Sequence, residues 1–204
     1  MKEDPRLEGW LRGLVSTPGL TALTDLEEAR RILLDDALAG RDLVERGPLV
    51  DVGSGGGSPG LPLAGALPEI QVVLLESNGR KCDFLRAQSA GFANVSVVCA
   101  RAEEHGRAAG RDAYGTAVAR ALAPPAVALE WCLPLVAVGG RAVLYTGEPG
   151  PELERVAVRL GGGPPRAQPV EGSERRHLVV VEKLEPTPEE FPRRPGAARK
   201  RPLA

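Results

Sequence analysis

The chain has 204 residues, of which 43% are hydrophobic, and this is enough to bury one α/β core. Its net charge of −1 provides no overall field for nucleic acid, so any such contact must come from a local basic patch. Aromatic residues make up only 3% of the chain, which argues against a sheet of base-stacking aromatic side chains.

The first predicted elements are a helix and a buried strand. Residues 23–38 alternate polar and apolar side chains as an amphipathic helix does, with Thr24 or Asp25 as the N-cap. A short apolar run then forms a strand that ends at Val52. We assign residues 1–46 to an N-terminal helical cap and residues 47–183 to the main domain.

A glycine-rich turn follows this strand. It starts at Asp51 and has glycines at 53, 55 and 57, where positive φ values and close ligand approach are expected. Ser58 and Pro59 suit the N-cap and first position of the next helix, whose free N–H groups can meet a polar ligand. A turn with no ligand is the alternative.

The spacing of these glycines separates two classes of ligand. A dinucleotide site needs glycine where Ser58 stands, which counts against a nicotinamide-dependent oxidoreductase. The pattern acidic-x-Gly-x-Gly-x-Gly resembles the first motif of S-adenosylmethionine (SAM) methyltransferases. An acid such as Asp51 suits the cationic SAM and would repel a pyrophosphate.

An acidic residue ends the second predicted strand, residues 72–75. Glu76 lies near the spacing of about 20 residues at which a second-strand carboxylate binds ribose hydroxyls. An ionised carboxylate only accepts hydrogen bonds, which matches a diol that donates two. Alone, Glu76 would be read as a solvated residue at the end of a strand.

The rest of the chain continues the alternation. In order, we predict a helix at 78–90 ended by Gly91, strands at 95–99 and 116–119, a helix at 125–133 ended or kinked by Pro134, a strand at 141–146 after a turn at Gly139 and Gly140, a helix at 152–160, a loop at 161–169 and a strand at 178–181. Strands separated by helices predict a mostly parallel sheet with right-handed crossovers.

Cysteine usage and apolar runs indicate the compartment. Cys82, Cys99 and Cys132 are far apart and odd in number, so reduced thiols in a cytosolic protein are expected. Neither they nor His105 and His177 form a metal-binding motif, and no metal is expected. No apolar run approaches the roughly 18 residues of a membrane span, and the N-terminus lacks a signal-peptide pattern. We therefore expect a cytoplasmic protein without membrane contact.

Residues 184–204 form a proline-rich basic tail. Proline-rich stretches stay extended, and an extended basic segment suits a phosphate backbone. A solvated, disordered tail is the alternative. The basic side chains are Arg193, Arg194, Arg199, Lys200 and Arg201.

Several segments in this order resemble the RsmG (GidB) family of bacterial 16S ribosomal RNA (rRNA) guanine-N7 methyltransferases. The resemblance covers nearly everything from Leu20 onward. The segments are the glycine turn at 51–63, Leu-Glu-Ser-Asn-Gly-Arg-Lys at 75–81, Arg-Ala-Glu-Glu at 101–104, Ala-Arg-Ala-Leu-Ala-Pro at 119–124, Glu-Arg-Arg-His-Leu-Val-Val at 174–180 and Pro-Arg-Arg-Pro-Gly at 192–196.

The resemblance implies a fold, a reaction and a set of roles. It implies a Rossmann-like α/β fold with helices on both faces of the sheet, and SAM-dependent N7-methylation of a guanine in 16S rRNA or the small ribosomal subunit. Gly53, Gly55, Gly57 and Ser58 would line the SAM site and Glu76 would bind the ribose. Ala102 and Glu103 would lie beside the adenine. Arg120 would face SAM and the target base, with a structural salt bridge as its alternative role.

The chain departs from the family pattern at several points. Thr146 stands where the family has a lysine before a glycine, Leu33 begins the segment where the family has His-x-Leu-Asp, and the N-terminus is shorter than usual. A divergent relative that binds SAM without this methylation is therefore a second hypothesis. Because guanine N7 carries a lone pair and no proton, acid–base patterns identify no catalytic residue in advance.

Overall fold

Seven strands form one sheet in the computed structural model, which describes residues 4–170 and 176–203. They are β1 Leu49–Val52, β2 Val72–Glu76, β3 Val95–Cys99, β4 Tyr114–Arg120, β5 Val136–Thr146, β6 Arg166–Pro169 and β7 His177–Glu182. Their order in the sheet is β3-β2-β1-β4-β5-β7-β6. The first five strands pair in parallel, whereas β7 is antiparallel to β5 and β6. The predicted mostly parallel α/β fold is confirmed.

Helices connect these strands. They are α1 Pro5–Ser16, α2 Leu26–Ala29, α3 Asp36–Leu38, α4 Gly60–Ala66, α5 Gly79–Ser89, α6 Ala102–His105, α7 Pro125–Cys132, α8 Glu152–Arg159 and α9 Ala197–Lys200. No described helix is long and apolar enough to cross a membrane.

The sheet separates two apolar clusters, because successive side chains of a strand point to opposite faces. In β1, Leu49 belongs to one cluster, with side chains of α1, α4 and the residues around α2. Val50 and Val52 belong to the other, which includes side chains of α7 and α8. Helices on both faces therefore bury the central strands.

The helix predicted over residues 23–38 differs in detail. It begins at Leu26, with the Asp25 carboxylate accepting from the Glu28 N–H at 2.8 Å. Its middle, Arg30–Asp35, is a π-helix, a geometry that sequence periodicity does not reveal and that is frequent at functional sites. Helix α1 was not predicted, and its Trp10 indole donates to the carbonyl of Gly56 in the glycine turn at 2.6 Å.

Two predictions about the later strands were wrong. The predicted loop 161–169 contains β6, a short and fully exposed edge strand, where nothing selects an alternating apolar pattern. The predicted turn at Gly139 and Gly140 lies inside the longer strand β5, where Gly139 takes a φ of 83°.

The prediction of reduced thiols was also wrong for two cysteines. Cys82 at the start of α5 and Cys99 at the end of β3 form a disulfide, with Cα atoms 5.8 Å apart. Their separation along the chain hid this contact, because the β2–α5–β3 crossover returns the chain to the same edge. Cys132 is a buried free thiol.

The tail is folded against the domain, which corrects the prediction of an extended segment. Phe191 is buried and anchors it, and Ala198 of α9 is buried as well. The guanidinium of Arg193 donates to the buried carboxylate of Glu130 through Nε at 2.8 Å and Nη2 at 2.6 Å. One apolar and one ionic contact therefore outweigh the extended preference of the prolines.

Replacing Phe191 with alanine should lower the free energy of unfolding by about 3–5 kcal/mol, because it empties a buried aromatic site. Leu184→Ala is the control in the same segment, since Leu184 is exposed, and should change it by less than about 0.5 kcal/mol. Urea unfolding of both variants measures this. If Phe191→Ala lowered the free energy of unfolding no more than Leu184→Ala does, the packing of Phe191 would not stabilise the domain.

Candidate active site

The candidate site lies where the strand order reverses, between β1 and β4. In open parallel sheets, ligands bind in the crevice at the carboxyl ends of the strands next to such a reversal. The glycine turn follows β1, Glu76 ends β2 and Arg120 ends β4. The topology thus brings these separate motifs to one edge of the sheet.

The glycine turn has the predicted backbone conformation. Gly53, Gly55 and Gly57 have φ values of 68°, 58° and 105°, a region that favours glycine. A Cβ at Gly53 would collide with Leu122, whereas a Cβ at Gly55 would meet only the Gly53 carbonyl oxygen, at 3.8 Å. The Leu122 side chain therefore fills the space beside Gly53, whereas the space beside Gly55 is open.

The buried side chain of Asp51 holds this turn in shape through two hydrogen bonds. Its carboxylate is 1% exposed and accepts from the Ser54 hydroxyl at 2.6 Å and from the Gly60 N–H at 3.0 Å. Burial raises the pKa of Asp51 to about 6. Helix α4 starts at Gly60, so the prediction of Ser58 and Pro59 as cap and first residue was wrong.

Ser58 instead connects the turn to the N-terminal helices. Its hydroxyl donates to the Leu33 carbonyl at 2.6 Å. Two further side chains do the same, Arg120 to the Ile32 carbonyl at 2.5 Å and Tyr145 to the Ala37 carbonyl at 2.7 Å. The π-helical segment and its flanks are thereby held over the carboxyl ends of β1, β4 and β5.

Glu76 is buried, not solvated. One carboxylate oxygen accepts from the Gly55 N–H at 2.9 Å, and the other accepts from the N–H groups of Ser77 and Asn78, both at 2.8 Å. Because a carboxylate has about four acceptor sites, this leaves capacity for about one ligand hydroxyl. Glu76 therefore fixes the geometry of the turn as well as offering an acceptor.

A first cavity, of about 70 Å³, lies beside the turn, and we call it the adenosine-side cavity. It is lined by Val52, Gly53, Leu75, Ser77, Ala100, Arg101, Ala102, Glu103, Leu122, Trp131 and Arg199. Of the predicted SAM residues, Gly53, Ala102 and Glu103 line it. Gly55, Gly57, Ser58, Glu76 and Arg120 do not.

The tail contributes to the wall of this cavity. The Gly196 N–H donates to the buried Glu103 carboxylate at 3.0 Å, and Arg199 donates to the Leu122 carbonyl at 3.3 Å. The Arg199 guanidinium carbon lies 5.2 Å from the centre of the Trp131 ring. The tail therefore forms part of the wall of this cavity as well as carrying basic side chains.

The other predicted basic residues of the tail occupy a different surface. Arg194, Lys200 and Arg201 are exposed. A groove of about 460 Å³, which we call the tail groove, is lined by Arg107, Glu190, Arg193, Arg194, Ala197 and Arg201. Arg193 is held there by Glu130, and the exposed Arg107 donates to the carbonyls of Glu190 and Pro192. Arg194 and Arg201 are the two other exposed cations that line the groove.

A second and larger cavity, of about 620 Å³, lies across the end of β4, and we call it the acceptor cavity. It is lined by Arg31, Ile32, Asp36, Arg120, Ala121, Tyr145, Thr146, Gly147, Val170, Arg176 and His177. Arg176 forms an ion pair with Asp36. The buried Nδ1 atom of His177 has no hydrogen-bond partner within residues 4–170 and 176–203.

Residues 120–122, which we call the β4 partition, border both cavities. Arg120 and Ala121 line the acceptor cavity, whereas Leu122 lines the adenosine-side cavity. Ala121 takes a φ of 50°, which is uncommon for a residue with a side chain and is found at functional sites. Because the backbone turns at Ala121, Arg120 and Leu122 line different cavities.

Within residues 4–170 and 176–203, no carboxylate forms a salt bridge with Arg120. Burial lowers its pKa, and the charge of Asp51 opposes that shift. Its guanidinium donates to a backbone carbonyl and borders the acceptor cavity. It can therefore orient a polar ligand there.

Sequence reasoning missed several lining residues. Tyr145 and Trp131 carried no motif, and Asp36 was noted only within the segment that departs from the family pattern; the fold identifies these residues by their position beside the cavities. Arg176 and His177 stood in a resembling segment without a role. Glu174 and Arg175 of that segment lie outside the described residues.

Comparison with known proteins gives a consistent result. A sequence model of the GidB family, described as rRNA small subunit methyltransferase G, matches residues 9–155. A protein of that name from Rubrobacter xylanophilus is 46% identical over 77% of this chain and 65% of its own length. Another from Synechococcus elongatus is 41% identical over 90% of this chain and 82% of its own.

Solved structures share the fold at low sequence identity. The SAM-dependent methyltransferase SibL has a TM-score of 0.62 at 15% identity, over 86% of this chain and 62% of its own. The T. thermophilus 16S rRNA N2 guanine methyltransferase RsmC, in complex with AdoMet and guanosine, has a TM-score of 0.51 at 22% identity, over 69% of this chain and 36% of its own.

Asp51→Asn should change how stability depends on pH. A pKa raised from 3.8 to about 6 in the folded state stabilises the protein below about pH 4, and this contribution is lost as the pH rises through 6. The stability of wild type relative to Asp51→Asn should therefore fall by about 2 kcal/mol between pH 4 and pH 7. Urea unfolding at several pH values measures it, with the exposed Asp42→Asn as control. A constant difference would refute the role given to Asp51.

Proposed function

The chain belongs to the rRNA small subunit methyltransferase G (GidB) family, and on this premise we propose that it methylates N7 of a guanine in 16S rRNA with SAM as the methyl donor. The observation that carries the proposal is the β4 partition. It separates a cavity beside the glycine turn from a cavity large enough for a nucleoside. A donor in one cavity and an acceptor in the other would meet in direct contact at the edge of this segment, with no backbone between the methyl carbon and N7.

The residues around the glycine turn fit SAM. Gly55 leaves open space where a ligand can approach the backbone, and Glu76 keeps an acceptor site for a ribose hydroxyl. The indole N–H of Trp131, a residue that lines the adenosine-side cavity, is buried and has no partner in the described chain, so it can donate to a ring nitrogen. The cavity is smaller than the roughly 300 Å³ of ordinary ligand pockets, so Leu122 and Arg199 must shift on binding.

The chemistry requires positioning rather than proton transfer. When bound, SAM supplies a methyl group on a positively charged sulfur. Guanine N7 carries a lone pair and no proton, so alignment within about 3 Å and exclusion of water suffice. Arg120 would orient the base, because its N–H groups can donate to a carbonyl oxygen of the base or to a phosphate. The small side chain of Ala121 would let the two reactants approach at the partition.

RNA contacts are proposed at two places. Arg31 borders the acceptor cavity, where it can meet a phosphate that flanks the target nucleotide. Arg194 and Arg201 form a second basic surface in the tail groove. Either free 16S rRNA or the small subunit could supply these phosphates.

The departures from the family pattern define the second candidate function, SAM binding without this methylation. Thr146 lines the acceptor cavity where the family has a lysine, so a cationic contact to the substrate is absent at that position. Leu33 is buried, and its carbonyl accepts from Ser58. The site keeps Arg120, and that favours an active enzyme.

The test is methyl transfer in vitro. Purified protein is incubated with SAM carrying a labelled methyl group and 16S rRNA from a strain that lacks the enzyme, and nucleosides are then identified by mass spectrometry. We expect labelled 7-methylguanosine at one position. Bound SAM without a labelled nucleoside would instead support the divergent relative.

Glu76→Ala should weaken SAM binding by about 1–3 kcal/mol, because it removes a charged acceptor and frees the Gly55 N–H. The control is Glu104→Ala, which truncates an exposed carboxylate near the cavity and should leave affinity unchanged. Calorimetric titration with SAM measures both. Unchanged affinity in Glu76→Ala would exclude this cofactor site.

The double variant Arg194→Ala, Arg201→Ala tests the tail groove. Each lost phosphate contact should reduce the slope of log K against log salt by about 0.7 for single-stranded RNA. Point variants are preferable to cutting off the tail, because a chain without the tail would also lack Phe191 and Arg199. Arg155→Ala, on exposed α8 surface, is the control. RNA affinity at several salt concentrations gives the slopes, and an unchanged slope would move the RNA surface elsewhere.

A further inference from the structure

The acceptor cavity contains a donor and an acceptor side by side. The Arg176 guanidinium forms an ion pair with the Asp36 carboxylate, and both residues line the cavity. The Asp36 side chain is only 14% exposed. A ligand edge that reaches this pair must therefore offer an acceptor to the arginine and a donor to the carboxylate.

The register of the sheet locates this pair relative to the β4 partition. Arg120 on β4 pairs with Tyr145 on β5, and Thr146 pairs with His177 at the start of β7. Arg176 precedes His177 directly. Adjacent strands lie about 4.8 Å apart, so Arg176 is two strands, or about 10 Å, from the partition.

The chemistry of guanine fixes its orientation between these two points. N7 must point to the partition, beyond which the methyl donor would lie. The opposite edge, with N1–H and the 2-amino group as donors, then points to β7, and O6 lies between the two edges. Asp36 and Arg176 stand at that end of the cavity.

We propose that Asp36 and Arg176 select guanine, with the Asp36 carboxylate accepting from N1–H and the 2-amino group and the Arg176 guanidinium donating to O6. Adenine presents the reverse pattern, an amino donor at position 6 and an acceptor at N1, so both contacts become repulsive. This assignment rests on the proposed function and names the residues that determine its specificity.

Two features of the cavity agree with a purine nucleotide as its ligand. Its volume of about 620 Å³ lies within the range of about 300–1,000 Å³ of small-molecule pockets. The buried Nδ1 of His177, next to Arg176 in the chain, has no hydrogen-bond partner among the described residues and can accept one from a ligand.

The test is nucleotide binding to protein saturated with S-adenosylhomocysteine, measured by calorimetry or ligand-observed NMR. Wild type should bind GMP about tenfold to a hundredfold more tightly than AMP. IMP, which lacks the 2-amino group, should fall between them. Asp36→Asn should reduce the preference for GMP over AMP to within about threefold, while its affinity for S-adenosylhomocysteine stays unchanged.

Asp35→Asn is the matched control, because Asp35 is the exposed neighbour of Asp36 and should keep the wild-type preference. Equal binding of GMP and AMP by wild type, no binding of GMP at millimolar concentration, or a full preference in Asp36→Asn would each overturn the assignment. A GMP preference that depends on Asp36, in a protein that does not methylate rRNA, would support the assignment and reject the proposed function.

Discussion

The buried carboxylate of Asp51 is the contact on which the rest of the site depends. It fixes Ser54 and the start of α4 at once, and so sets the path of the glycine turn between them. Its charge also interacts favourably with the half-buried guanidinium of Arg120 at the end of β4. Burying this acid costs free energy, as its raised pKa shows. Its hydrogen bonds hold the backbone in a path on which a ligand can approach the glycines.

Three hydrogen bonds extend this order to the N-terminal helices. Ser58, Arg120 and Tyr145 each donate to a backbone carbonyl around the π-helical segment. These bonds fix the segment to the glycine turn and the strand ends, and they place Ile32 and the adjoining Asp36 at the acceptor cavity. Substitutions that loosen these contacts should affect the acceptor side before the cofactor side.

The sequence allowed the central strands and the glycine conformations to be predicted, because local periodicity and spacing determine them. Glu76 could be found by its position after β2, but its three backbone donors could not. The Cys82–Cys99 disulfide, the ion pair of Arg193 with Glu130 and the place of Arg199 beside Trp131 were missed. Each joins residues distant in sequence, and its formation depends on how the crossovers and the tail pack, which no local pattern encodes.

In the proposed reaction the methyl donor and the guanine occupy separate cavities that meet at the β4 partition. A crystal structure with S-adenosylhomocysteine and GMP bound tests it most directly. It should show adenine beside Glu103 and Trp131, and guanine in the acceptor cavity with N7 toward residues 120–122. A guanine bound elsewhere, or with N7 toward β7, would contradict the account.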